Sequence, residues 1–167
     1  MYGIFTPPEL PQGFRIQNLV SLDPKNRQNV VDRVRKIERK AFPSSEAFDF
    51  DAELKKKNTS MLVVTRPDEL TEVVGYLVFL RMRKVALLHK ICVVEHMRRK
   101  GIGRCLIHSV LLQLEKGGCH SIQLWVDEAR SPARELYQSY GFREIDRCVD
   151  YYGPGRTGLK MQLSIEK

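Results

Sequence analysis

The run Arg98-Arg99-Lys100-Gly101-Ile102-Gly103 sets three consecutive cations before two glycines spaced by one residue. An apolar, β-branched segment ends at Val94 just upstream, and Ile102, Leu106, Ile107, Val110, Leu111 and Leu114 form a helical stripe downstream. Glycines at such a strand-to-helix junction let successive backbone N–H groups converge on one point. The positive end of the helix dipole adds to the cations, so the junction suits a phosphate. A dinucleotide loop would read G-x-G-x-x-G, but its third position is Leu106. The nucleotide loop G-x-x-x-x-G-K-S/T is absent. A nucleic-acid surface would interleave aromatics with its cations, and residues 80–124 contain no Phe, Tyr or Trp, so no nucleic-acid partner is expected. Two readings remain: a backbone cradle for a phosphate group, or a plain turn with a solvated basic face.

The elements that must hold this junction follow from pattern. Asp23-Pro24 gives a helix cap and first-turn proline, and Val30, Val31, Val34, Ile37 and Ala41 continue with helical spacing to Phe42-Pro43. A second helix is expected over 45–57, with Phe48 and Leu54 inward. Residues 60–66, 72–83 and 84–94 read as strands, 101–117 as a helix and 121–126 as a strand. A further helix is capped by Ser131 with Pro132 after it and stops at Gly141, and strands near 143–152 and 158–165 close the chain. Residues 1–13 are rich in Pro and Gly and expected to be extended, and 1–167 reads as a single α/β domain.

The net charge is +8, and residues 81–104 hold eight cations against one anion, Glu95, which points to an anionic ligand near the junction. No apolar run reaches the roughly 18 residues of a membrane helix, and the start has no signal-peptide pattern. A cytoplasmic location, with the nucleus as a second option and no membrane partner, is the expectation. Cys92, Cys105, Cys119 and Cys148 make no zinc spacing, so reduced thiols and no metal are expected. Nothing fixes the assembly beyond monomer or homodimer.

At this point the chain resembles the GNAT superfamily of acetyl-CoA-dependent N-acetyltransferases. Residues 98–103, RRKGIG, match that family's Gln/Arg-x-x-Gly-x-Gly/Ala pyrophosphate loop, and Val93 matches its usual strand valine. RSPARELYQSYGF, residues 130–142, resembles its N-x-x-A-x-x-L-Y-x-x-x-G-F segment, in the right order and separation. The resemblance covers roughly residues 14–165 and implies the GNAT fold: one mixed central sheet of six to seven strands flanked by about four helices. It implies acetyl-CoA as cosubstrate, its pyrophosphate on Arg98, Arg99, Lys100, Gly101, Ile102, Gly103 and Arg104. The pantetheine arm would run along Ile91, Cys92 and Val93, with Arg130 and Ala133 also at the coenzyme. The family's frequent Asn is Arg130 here, so its pantetheine contact does not carry over.

Acetyl transfer needs a neutral amine, a stabilised oxyanion and a proton for the departing thiolate. Tyr137 occupies the family's general-acid position; it also shares a helical face with Ala133, Leu136 and Tyr140, as a core tyrosine would. His89 lies mid-strand, on the face of Leu87 and Ile91 by simple alternation, and an imidazole suits proton removal near neutral pH. Arylalkylamine N-acetyltransferases of the superfamily carry a histidine at that offset, whereas its Glu or Tyr position on this strand is Leu87 here. A hydrogen-bonded core histidine is the alternative. DYYGPGRTGLKM, residues 150–161, and IERKAFP, residues 37–43, resemble the segments bordering the peptide slot of protein N-terminal acetyltransferases. This makes Phe42, Pro43, Tyr151 and Tyr152 candidate acceptor contacts, although Trp125 stands where some of those enzymes have a histidine. Three functions stay open: transfer to a protein or peptide amine, transfer to an arylalkylamine or polyamine, and non-catalytic acyl-CoA sensing.

Overall fold

The computed structural model describes residues 7–165. Among these, seven strands form one sheet: β1 Arg15–Asn18, β2 Thr59–Arg66, β3 Glu69–Met82, β4 Val85–Val93, β5 Ser121–Asp127, β6 Arg143–Gly153 and β7 Arg156–Ser164. Their order is β1-β2-β3-β4-β5-β7-β6, and β4 with β5 is its one parallel pair. The helices are α1 Pro24–Ala41, α2 Phe50–Glu53, α3 Ile102–Lys116 and α4 Ser131–Ser139. The expected mixed sheet with about four helices is therefore found. The expected helix over 45–57 is not: a 3-10 turn Ser44–Glu46 and the single turn α2 replace it. Asp49 caps α2 by accepting from the Ala52 amide, and Phe50, not Phe48 or Leu54, is the buried residue. On α4 the cap position falls to Arg130 without a side-chain bond, and Ser131 is already helical. Residues 1–6 of the expected extended segment lie outside the described residues, and 7–11 form neither helix nor strand.

Strand alternation sends one set of side chains to each face of the sheet. Leu62, Val64, Leu77 and Phe79 meet Leu106, Val110 and Leu114 of α3 on one side. Met61, Val63, Tyr76 and Val78 meet Val30, Val31 and Val34 of α1 on the other. Each such α1 valine contributes about 1.5–3 kcal/mol by leaving water. In β4 the alternation changes phase. Val78 pairs with Lys90 but Phe79 with Leu88, so His89 is an extra, bulged residue. Before it Ala86 and Leu88 face α3; after it Ile91 and Val93 do, while Cys92 joins the α1 side. The even positions face α3 on one side of the bulge and the odd ones on the other.

The bulge also turns Lys90 toward α1. Its ammonium lies 3.8 Å from the Glu38 carboxylate, and both side chains are covered. Burial raises the Glu38 pKa despite the Phe48 amide donated to it, and burial lowers that of Lys90. A buried pair of this kind punishes removal of one partner, because the other charge is left without compensation. Lys90→Met is expected to cost about 3–5 kcal/mol in urea unfolding. The double variant Lys90→Met/Glu38→Leu should recover most of that loss.

Candidate active site

β4 and β5 stay paired only from Val85↔Ser121 to Leu88↔Leu124. Beyond the His89 bulge they part, while β5 continues to Asp127 along β7. The Val94 amide donates to the Val74 carbonyl on β3 at 2.9 Å. Amides two residues apart on a strand point alike, so those of Val93 and Ile91 face the gap. The gap opens into a cleft of about 530 Å³, lined among others by His89, Ile91, Trp125, Ala133, Tyr137 and Tyr152. A larger concavity of about 1000 Å³ lies between α1 and the end of β4, around Lys36, Lys40 and Arg98. It contains neither His89 nor Tyr137, so the chemistry is assigned to the smaller cleft.

The glycine junction has the shape of an anion cradle. Arg99 and Gly101 both adopt positive φ, 63° and 83°, and Gly101 is the left-handed cap of α3. Among the described residues the amides of 99–103 make no backbone hydrogen bond, whereas the next amide but one, Cys105, donates to the Gly101 carbonyl at 3.0 Å. Free amides at a helix start beside exposed Arg98, Arg99 and Lys100 fit a pyrophosphate. Gly103 has no positive φ and serves close approach instead: a Cβ there would stand 3.2 Å from a Leu136 methyl, where α4 packs on α3. Ile102 offers only backbone, its side chain being buried. Cys92 likewise directs its side chain into the α1 cluster. Arg104 bonds Ser139 Oγ at 3.0 Å and lies over the Tyr140 ring, so its charge is tied to α4. Arg98 donates from Nε to the Val93 carbonyl at 3.0 Å.

Tyr137 is buried against Phe142 yet lines the cleft, and among the described residues no group bonds its hydroxyl. Burial pushes its pKa well above the ordinary value, so it stays protonated at neutral pH. His89 keeps an exposed edge beside Phe48, ring centroids 5.8 Å apart, and burial of the remainder lowers its pKa. Its side chain is on the side of Lys90 and not that of Ile91, because the bulge breaks the alternation. Phe42 lines the cleft between two cations, Lys90 Nζ 3.8 Å and the Arg130 guanidinium 4.7 Å from its ring. Pro43 does not line it; it begins the 3-10 turn and is exposed. Tyr151 stacks on Trp125 at 4.3 Å and meets Tyr152 edge-on at 4.8 Å, which makes one aromatic wall. The back of Tyr151 rests on Gly158, where a Cβ would come within 2.8 Å of the ring.

A parted strand pair and a buried tyrosine on α4 thus meet in one cleft, and a positive-φ cradle stands at the start of α3, beyond the end of β4. The GNAT acetyltransferase family model matches residues 29–142. The chain belongs to the GNAT acetyltransferase family. An N-alpha-acetyltransferase of Sulfurisphaera tokodaii is 31% identical over 144 residues, 78% of this chain and 85% of that one. A ribosomal protein bS18-alanine N-acetyltransferase of Haemophilus influenzae is 30% identical over 84 residues, 50% of this chain and 57% of that one. Among solved structures, the ribosomal-protein-S18-alanine N-acetyltransferase of Escherichia coli superposes with a TM-score of 0.76 at 22% identity, covering 92% of this chain and 95% of that one. Arabidopsis thaliana NAA60 in complex with a bisubstrate analogue reaches 0.73 at 20%, covering 90% and 97%.

This GNAT chain is accordingly an acetyl-CoA-dependent N-acetyltransferase. Residues singled out in the sequence line the cleft, among them His89, Tyr137 and Tyr152, but none signals what crosses it. Arg156, bonded to Asp127 and Glu46, and the Trp125–Tyr151 stack had no local pattern to reveal them. Gly158 was the available hint, a bare residue two positions before Lys160 on a strand, which signals close approach. The GNAT cradle yields a direct test. Gly101→Glu adds a side chain where φ is positive and an anion among free amides, so acetyl-CoA affinity measured by calorimetry should fall at least about 100-fold. Lys84→Glu, remote from the cradle on the turn into β4, should leave it unchanged.

Proposed function

We propose that the enzyme acetylates the amino group of a protein or peptide, by direct attack of the amine within a ternary complex. The observation that carries this reading is the second wall of the cleft. Phe42, Trp125, Tyr151 and Tyr152 come from three separate segments and form an aromatic slot around the far side of the gap. Protein N-terminal acetyltransferase relatives support the same acceptor class. A polyamine fits less well. Lys90, Arg130 and Lys160 line the cleft, and its carboxylates Glu46 and Asp127 are both bonded to Arg156. Several ammonium groups would therefore meet cations and no free carboxylate.

In this reading the amides of 99–103, with Arg98, Arg99 and Lys100, hold the pyrophosphate, and the free amides of Ile91 and Val93 hold the pantetheine arm. Arg130 and Ala133 border that arm on the α4 side. Bound acetyl-CoA supplies the acetyl thioester. His89, neutral at physiological pH, takes the proton from the attacking amine directly or through water. A free β4 amide donates to the thioester oxygen as negative charge builds there. Tyr137 donates to the sulfur as the carbon–sulfur bond breaks, and its burial keeps that proton available. The amine nitrogen gains the acetyl group, the thiol leaves with the Tyr137 proton, and the proton held by His89 returns through solvent to the Tyr137 phenolate, which restores both groups. One sheet carries both apolar layers, which supports reading residues 1–167 as one domain. The free thiols support a reducing compartment, cytoplasm or nucleus. Among the described residues no helix is long and apolar enough to cross a membrane, and no His, Cys, Asp and Glu group could hold a metal.

Acetyl-CoA consumption should be followed against N-terminal peptides, lysine peptides, arylalkylamines and polyamines. Turnover confined to peptides is expected; turnover of free amines alone would overturn the acceptor assignment. The pH profile tests His89. Its lowered pKa keeps the imidazole neutral until below the ordinary 6.5, so kcat/KM expressed per neutral amine should hold from pH 8 to 6.5 and fall below that. His89→Gln should remove this acid limb and lower kcat about 10²-fold or more. Tyr137→Phe should lower kcat while leaving acetyl-CoA affinity within about twofold.

A further inference from the structure

The proposed acceptor slot has two walls that the chain brings from far apart. One is the loop of residues 42–48 after α1, the other the hairpin of β6 and β7. Backbone pairing does not join them. Arg156 does. Its Nε and Nη2 donate to Asp127 Oδ2 at 3.0 and 2.8 Å, and the same Nη2 donates to Glu46 Oε2 at 3.0 Å. Nη1 reaches the Tyr152 carbonyl at 3.3 Å, and the guanidinium lies over the Tyr152 ring. The other oxygen of Asp127 accepts the Ala129 amide at 2.9 Å. Exposed ion pairs contribute little, but here the Asp127 and Glu46 side chains are 6% and 12% exposed. Burial alone would raise the Asp127 pKa, yet the Ala129 amide and Arg156 hold it below the usual range.

A role in folding the loop would be the simpler account, but the loop is anchored without Arg156. Lys90 donates to the Glu46 carbonyl at 2.9 Å and lies over Phe42, and Glu38 accepts the Phe48 amide at 3.0 Å. The Glu46 side chain is left for a bond across the cleft. We infer that Arg156 is the positioning residue of the acceptor slot, a latch that fixes the distance between Phe42 on one wall and the tyrosine pair on the other. This rests on the slot being the acceptor site. Arg156 itself bonds neither the cradle at 99–103 nor Arg130 or Ala133, so its effect is expected on the acceptor side. A guanidinium is needed because its planar fork serves two carboxylates and a carbonyl together, which an ammonium cannot do in fixed geometry.

The test is steady-state kinetics with the best peptide from the acceptor panel, alongside acetyl-CoA binding by calorimetry. Arg156→Gln should raise the peptide KM about tenfold, with kcat changed less than about threefold and acetyl-CoA affinity within about twofold. Arg156→Lys should keep most of the defect. The exchange Glu46→Arg with Arg156→Glu puts a guanidinium back between two carboxylates, and should recover at least half of the lost KM while either single change does not. A single cooperative thermal transition that begins above the assay temperature shows that Arg156→Gln is folded. If wild type acetylates peptides and Arg156→Gln has an unaltered KM, the latch is wrong and the acceptor reading stands. An exchange variant no better than its parents would also overturn the latch. Wild type inactive on every peptide would remove the acceptor reading, and the latch with it.

Discussion

At His89 β4 carries one residue more than β3 can match, and the surroundings of the active site depend on that mismatch. It reverses which side chains face α3, so Ile91 and Val93 pack where Ala86 and Leu88 did, and Lys90 turns to Glu38. It coincides with the last rung between β4 and β5, after which the strands part. Parting a parallel pair leaves backbone donors without partners, a cost that a folded protein tolerates where a ligand supplies the missing acceptor. A bulge that ends pairing and re-aims side chains at once is a compact way to make a polar gap inside an apolar sheet.

Charge is distributed in this molecule by task. The cations of the α3 junction stand exposed beside free amides, where they can attract and hold a diffusible anion. Two of the three cations lining the cleft are occupied, Lys90 with Glu38 and Phe42 and Arg130 with Phe42, and Arg156 beside it is bonded to Asp127 and Glu46. The overall charge of +8 therefore describes the α3 junction better than the cleft.

The fold was largely legible because its signals are local. Asp23-Pro24, the stripe from Ile102 to Leu114 and the β-branched runs each need only a few neighbours to be read. The glycine turn into α3 was legible for the same reason, and its two glycines have different duties, one conformational and one steric. Residues 45–57 misled because helix-forming residues there lack the length and packing to propagate a helix, and Asp49 starts a new turn instead. The bulge was invisible because it is a relation between Val78, Phe79 and Leu88 to Lys90, not a property of β4 alone. Glu46 and Arg156 are 110 residues apart, and no periodicity connects them.

The missing Cβ of Gly103 has a wider consequence. It lets Leu136 lie directly on the first turn of α3, so the anion cradle and the helix carrying Tyr137 are joined by close apolar packing. The opposing half, from Glu38 through Lys90 to Arg156, is joined largely by charge. The carboxylates of these pairs are largely covered, so salt screens them much less than it would exposed pairs. The molecule thus has two kinds of stiffness on either side of one gap. One side is held by close fit and the other by directed bonds, so a lost methylene is felt on the first and a lost charge on the second.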